Sequence, residues 1–211
     1  MKQFKKIAVL GGTGKAGRYV IKRLLEKGYQ VKALTRNPVK LTQSSQSLEI
    51  IPGDARDAET IHLLLKGSDA VISTIGPTLK TPDTCSIATG HVIEAAKRNH
   101  TKRYIELAGL AIDTPTDRKG FKTKLVVSIM KLFVPTIIAD RQKAYGLLSS
   151  SDLDWILVRS SMVELTDTHR DIKTSLSDSP GHRISATDLA NFLVEELTDE
   201  QFIRKAPFIS S

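Results

Sequence analysis

The sequence has one cysteine, Cys85, in 211 residues, and aromatic side chains make up only 5% of it. A single thiol excludes an internal disulfide and agrees with a reducing compartment. The five histidines are scattered and no paired-cysteine spacing occurs, so a zinc site has almost no support and no metal is expected. There is no run of about 18 apolar residues, and no charged leader followed by an apolar stretch and a small-residue cleavage site. A cytoplasmic protein without a membrane span is therefore expected. Acidic residues are also in the minority, 23 against 31 lysines and arginines, which gives a net charge of +8. The excess favours anionic partners, but the basic residues are dispersed as Lys5-Lys6, Lys22-Arg23, Lys97-Arg98 and Lys102-Arg103. No nucleic-acid partner is expected from such a pattern.

What is present is a chain long enough to bury one core, 40% apolar and 26% charged. Strand-length apolar runs occur at Lys6 to Leu10, Gln30 to Thr35, Leu48 to Ile51, Ala70 to Ile75 and Arg103 to Leu107, and helical patterns separate most of them. Arg18 to Lys27 puts Val20, Leu24 and Leu25 on one face and stops at Gly28. After residue 110 come a long helical region (Phe121 to Met130, then Ile137 to Leu148), a strand from Trp155 to Arg159 and a helix from Thr187 to Leu197. Alternating strands and helices predict an α/β fold: a single doubly wound domain over 1–211, with a mostly parallel sheet and helices on both faces.

The stretch "IAVLGGTGKAGRYV" puts Gly11, Gly14 and Gly17 directly after the first strand and at the start of the first helix. Without a Cβ, the backbone can turn tightly at Gly11, approach a pyrophosphate near Gly14 and pack helix on strand at Gly17, while helix N–H groups face the phosphates. Lys15 and Arg18 add positive charge. A Walker loop is excluded because Lys15 precedes Ala16, which cannot ligate magnesium. The second strand ends "LTRNP", without the acidic residue that binds a ribose 2′-hydroxyl. Arg36 can instead pair with a 2′-phosphate, which favours NADP(H) over NAD(H). Asp54, in "PGDARD", accepts from an adenine amino group or caps the following helix.

With "VLGGTGKAGRYV", "LTRNP", "IPGDARD" and "DAVISTIG" at successive strand ends, the chain resembles the atypical short-chain dehydrogenase/reductases. It is most similar to their small NAD(P)H-binding branch, which holds biliverdin IX-beta reductase (flavin reductase) and the NmrA-like proteins. "LLSSSDLDWILVRSS" and "ISATDLANFLVEELTDE" look like that branch's sixth strand and final helix. The resemblance implies a Rossmann fold and a cofactor touched by Gly11, Gly12, Thr13, Gly14, Lys15, Ala16, Gly17 and Arg18, by Arg36, Asp54 and Ala55, and by the Thr74-Ile75-Gly76 turn. It brings the nicotinamide to Leu107, Ala108 and Gly109. Substrate would enter between the loop after Gly109 and Ser160-Ser161-Met162, with 110–182 the main substrate-covering region.

The catalytic signature of that group is missing. A Tyr-x-x-x-Lys pair lowers the tyrosine pKa for proton exchange during hydride transfer, but Tyr19, Tyr29, Tyr104 and Tyr145 are followed four residues on by Arg23, Ala33, Ala108 and Ser149. Ala108 and Gly109 stand where a serine often follows the fifth strand, and Met162 aligns with the reductase branch's active-site histidine. These departures argue against alcohol-dehydrogenase or epimerase chemistry. They leave hydride transfer to a flavin, quinone or similar conjugated acceptor, where orientation suffices and solvent supplies the proton. Flavin would then be a substrate rather than a tightly bound cofactor. Polar helpers are Tyr145, Ser160 and Ser161, each more simply structural. The alternative is a non-catalytic NAD(P)-binding redox sensor of the NmrA-like type, acting through a protein partner. A monomer or a homodimer fits either reading.

Several single features have plain explanations. His91 reads as a surface or packing residue, Trp155 as core and Asp188 as a favourable first-turn helix charge. Glu106, inside an apolar strand, is either paired or near the site. "RKGFKTKLVVSIMKLFVP" aligns Phe121, Leu125, Ile129 and Phe133 on one helical face among lysines. Such a face more often packs on its own sheet or a partner subunit than on a membrane, and the segment would sit over the site as a lid.

Overall fold

The computed structural model describes residues 4–41, 43–76 and 78–211. Strands β1 (Lys6–Leu10), β2 (Gln30–Thr35), β3 (Leu48–Pro52), β4 (Ala70–Ser73), β5 (Arg103–Gly109) and β6 (Asp154–Ser160) form a parallel sheet in the order β3-β2-β1-β4-β5-β6. The order reverses between β1 and β4, and such a switch point opens a crevice at the carboxyl ends of the strands. The sheet continues through β10 (Phe208–Ser210), parallel to β6, and ends at an antiparallel edge strand, β8 (Lys173–Ser175). A separate parallel pair joins β7 (Met162–Glu164) to β9 (Arg183–Ser185).

Both faces of the sheet are buried, as a parallel sheet requires. Alternate residues of β1 divide between them: Ile7 and Val9 pack under α1 (Gly17–Glu26) and α6 (Ala186–Glu195), while Ala8 and Leu10 pack under α2 (Ala58–Leu65) and α3 (Thr84–Asn99). The residues of α1 that meet the sheet are Val20, Ile21 and Leu24, all fully buried. Each contributes about 2 kcal/mol through burial. The helix ends where expected: Gly28, at φ 81°, donates its N–H to Leu25 O and turns the chain into β2.

The second half departs further from the sequence reading. β7 to β10 are three residues each, too short for a strand period to be visible. Ala70 to Ile75 is a strand only to Ser73, because Thr74 Oγ1 turns back onto the carbonyls of Leu10 and Gly11. The two helical segments read after residue 120 are present as α4 (Phe121–Phe133) and α5 (Pro135–Ser149), each longer than expected, with Pro135 opening the second and excluding its continuation from the first. α5 packs along α3, and Leu148 and Tyr145 join the core there. α4 does not bury its apolar stripe on the protein's own sheet. Only Thr123 and Val127 are buried, and Phe121, Leu125, Ile129 and Phe133 face outward.

Candidate functional site

A groove of about 280 Å³ runs across the carboxyl ends of β1 to β4. Its floor is the turn from β1 into α1. Gly11 has φ 79°, and a Cβ there would lie 2.9 Å from the backbone of Thr74. Gly17 is tighter, since a Cβ would fall 2.1 Å from Gly11 O. These two positions let β1, the β4 end and α1 converge. At the start of α1, Ala16 supplies no side-chain cap, and the first turn holds no acidic residue. A helix start left uncapped and without carboxylates is matched to an external anion. The residues present therefore fit a dinucleotide pyrophosphate.

Of the residues expected to touch the cofactor, Gly11, Thr13, Gly14, Arg36, Asp54, Ala55, Thr74, Ile75 and Gly76 line this groove. Gly12 is buried beneath it, and a Cβ there would meet Ile21. Lys15 and Arg18 are exposed, Ala16 packs against the core and Gly17 is buried, all outside the groove lining. Arg36 is exposed at the groove wall, and Lys40, from the 3-10 turn Pro38–Lys40, lines it as well. Lys40 was not anticipated, because a lysine in a polar loop carries no pattern. The cap of α2 is Asp57, whose carboxylate accepts from Glu59 N, rather than Asp54. Asp54 instead accepts from Arg56 N at 2.9 Å and faces the groove.

A second cavity, about 930 Å³, opens beside the ends of β5 and β6. β4 is the neighbour of β5 in the sheet, so the two openings share one edge. Gly109 and Ser160, paired in register, form the floor of the second, with Ser161 and Met162 beyond. Ser161 Oγ is buried without a hydrogen-bond partner among the described residues. The opposite wall is α4, through Phe121, Val126 and Met130. Leu107 and Ala108 line neither cavity: Ala108 is buried in the core, and the Leu107 carbonyl accepts from Arg141. Tyr145 also lies away from both, edge-on to Trp155 with ring centroids 6.1 Å apart.

Three residues the sequence did not single out hold this region together. Arg141, on α5, donates to Leu107 O and Ile75 O, both at 2.8 Å, and so ties the β5 end to the turn after β4. Beside it, Asp140 accepts from Cys85 N and Ser86 N at the start of α3. Arg159, fully buried on β6, donates to both carboxylate oxygens of Asp117 at 2.7 and 2.9 Å and stacks on Phe208. Burial lowers the Arg159 pKa, opposed by the Asp117 carboxylate. Lys119 joins this cluster through Asp113 and Asp117. His182 is a further residue of the cavity wall, brought beside Met162 by the β7–β9 pairing, where Met162 N donates to His182 O.

Other candidates are accounted for. Glu106 is paired: its Oε2 accepts from Thr89 Oγ1 and Tyr104 OH, and Arg141 lies 4.0 Å from Oε1. Burial raises its pKa, opposed by Arg141. Cys85 is buried, and its thiol is pushed up to about 12, chiefly by burial. Asp178 caps α4 from a neighbouring loop by accepting from Gly120 N at 3.0 Å. Burial works to raise its pKa, but hydrogen bonds from Thr123, Gly120 and Ser179 outweigh that and hold it low. No group of three or more metal-ligating side chains occurs among the described residues.

The fold and the glycine turn define a dinucleotide-binding Rossmann protein. More particularly, residues 11–200 match the NAD(P)H-binding family model, and the chain belongs to that family. Among curated relatives, it is 38% identical over 109 residues to the photosystem II assembly factor Ycf39 of Trieres chinensis, which covers 47% of this chain and 33% of that protein. It is 28% identical over 113 residues to cinnamoyl-CoA reductase 2 of Arabidopsis thaliana, covering 48% and 34%. The chain thus spans about a third of the length of these relatives. Among solved structures, ChuY, an anaerobilin reductase from Escherichia coli O157:H7, superposes with a TM-score of 0.81 at 17% identity, covering 98% of this chain and 97% of its own. That likeness is one of fold.

Proposed function

We propose that the protein is an NADPH-dependent reductase that passes a hydride to a flat conjugated acceptor, such as a flavin or a quinone, in the reducing cytoplasm. The observation that carries this reading is the placement of two cavities side by side on one sheet edge, one polar and glycine-floored, the other walled by apolar side chains. When bound, the dinucleotide supplies the hydride. The chain's part is to bind and orient. The α1 start and Gly14 receive the pyrophosphate, Arg36 and Lys40 receive the 2′-phosphate, and Asp54 faces the adenine side. Gly109 and Ser160 leave an open floor on which a planar acceptor can stack, and Val126 and Met130 give it an apolar wall opposite. His182 at the rim is placed to deliver the proton that follows the hydride. The relatives' names, among them a cinnamoyl-CoA reductase and an anaerobilin reductase, agree with a reductase.

One observation favours a second reading, a sensor that binds NAD(P) and signals to a protein partner: the acceptor cavity contains no tyrosine–lysine pair. Anaerobic NADPH oxidation with FMN or a soluble quinone, read at the reduced nicotinamide absorbance, separates the two. Turnover is expected. Tight NADPH binding without turnover on any such acceptor would reject the reductase. Cofactor choice has its own test. Arg36→Ala should weaken NADPH far more than NADH, by about 1.5–3 kcal/mol for a lost charged hydrogen bond. Equal losses would reject the 2′-phosphate role.

A further inference from the structure

Helix α4 presents an apolar face to solvent that none of the described residues covers. Phe121 is 82% exposed, Leu132 77%, Phe133 75%, Leu125 51% and Ile129 49%. At 100° per residue these five side chains fall within an arc of about 120°. The opposite side buries Thr123 and Val127. The helix's own charge is of one sign, since from Arg118 to Ala139 the sequence contains five basic residues and no acidic one, and Asp113 and Asp178 approach it from neighbouring loops. Lys119 and Lys131 share the Asp113 carboxylate, at 2.7 and 3.0 Å. Arg118, Lys122 and Lys124 are exposed, with no carboxylate in salt-bridge range among the described residues. Lys122 lies inside the apolar arc, where its stem can follow the apolar surface while the ammonium reaches outward.

Charge decides what covers the face. Pairing with a second copy would set this acid-free basic segment against itself. An anionic lipid surface accepts both features at once, phenyl and leucyl groups below the headgroups and ammonium groups among them. We infer that α4 docks on an anionic lipid surface as a peripheral contact; no helix among the described residues is long and apolar enough to cross a membrane. Lys122, Val126 and Met130 of the same helix line the acceptor cavity, so docking brings the cavity mouth to the lipid. Resting on the reductase reading, the acceptor class narrows to a quinone with an apolar tail held in the bilayer. Hydride from the reduced nicotinamide and one proton, passed from solvent through His182, convert the quinone to the quinol and leave the oxidised nicotinamide.

The test is flotation of the full chain with phosphatidylcholine vesicles, with and without a third of phosphatidylglycerol. Each basic residue at the surface favours the anionic vesicle by about fivefold, so three give on the order of a hundredfold at low salt. Leu132→Gln/Phe133→Gln alters only exposed side chains and should lose vesicle association at least about tenfold, with NADPH affinity unchanged. Lys124→Glu should erode the anionic preference while leaving the fold intact. Equal association with neutral and anionic vesicles, or full binding by the double variant, would overturn the docking. A concentration-dependent dimer abolished by the double variant, without lipid association, would assign the face to a second copy instead. Capture by polyglutamate in place of vesicles would assign it to an acidic protein. In vesicles, the double variant should lose turnover of a tailed quinone and keep that of a tail-less one. Lipid association with no turnover on either quinone would uphold the docking and sink the reductase reading beneath the acceptor step.

Discussion

The cofactor half of this protein, β1 to β5, and the half that covers the second cavity, residues 110–182, are built by different means. The first makes its site from backbone: glycines that let β1, α1 and the β4 end converge, and an uncapped helix start. The second makes its site from buried charge. Arg159, Asp117, Lys119 and Asp113 pin the loop after β5 onto β6, and Asp178 fixes the start of α4. Backbone sites fail through steric clash and local strain, whereas charge-built sites fail when one partner is left alone in a medium of low dielectric.

The largest test of that contrast is Arg159→Met. It keeps much of the side-chain volume on Phe208 but leaves the Asp117 carboxylate to Lys119 and Thr114 alone and orphans the buried Ala206 carbonyl, a loss of about 3–5 kcal/mol. Arg159→Met/Asp117→Leu should recover only the part that the ion pair carries, as denaturant midpoints would show. If the single variant is as stable as the parent, charge is not what holds the second half. Gly17→Ala comes next. The added Cβ collides with Gly11 O, which cannot retreat without moving β1, so about 2–3 kcal/mol of stability should be lost, together with NADPH affinity. Unaltered NADPH binding in a stable Gly17→Ala protein would remove the steric argument for the first half.

This difference also explains what could be read in the sequence. Gly11, Gly14 and Gly17 announce themselves by spacing, and the strands β1 to β6 by apolar runs, because local sterics and burial act within a few residues. Arg36 was legible from its place at a strand end. Arg141, Asp117 and Lys40 were not, since an ion pair between residues 42 apart, such as Arg159 with Asp117, leaves no local period. α4 was legible as an amphipathic helix, but the direction of its apolar face was not, because periodicity records that a stripe exists and not what lies opposite. Tyr145 was singled out for its chemistry alone, and the fold turned it onto Trp155.

A smaller effect sits at the lower edge of the sheet. Glu196 is buried, its Oε2 lacks a partner among the described residues, and burial followed by the nearby Asp199 raises its pKa to about 7. The folded state therefore keeps a proton that the unfolded chain releases nearer the ordinary carboxylate value of 4.5. The favourable contribution is complete below that value and is lost as pH rises through about 7. Glu196→Gln should remove this slope, raising stability at alkaline pH by on the order of 2 kcal/mol relative to the parent. Melting temperatures at acidic and alkaline pH would reveal an unchanged slope if Glu196 is not the group responsible.

The smallest expected effect is the most informative about chemistry. Tyr145 is half-buried, and burial raises its phenol pKa, with Arg159 opposing, so the group holds its proton more firmly than an ordinary tyrosine. A general acid must yield a proton near neutral pH and stand within hydrogen-bond reach of the reacting atom, and Tyr145 lines neither cavity. Tyr145→Phe keeps the edge contact with Trp155 and should change turnover by less than about twofold and stability by less than about 0.5 kcal/mol. His182→Gln should instead slow turnover several-fold, because it removes the proton-carrying side chain placed on the cavity wall. The opposite pattern, a collapse at Tyr145 and indifference at His182, would move proton delivery out of the cavity and into the core, and the division between a backbone-built and a charge-built half would no longer describe where the chemistry happens.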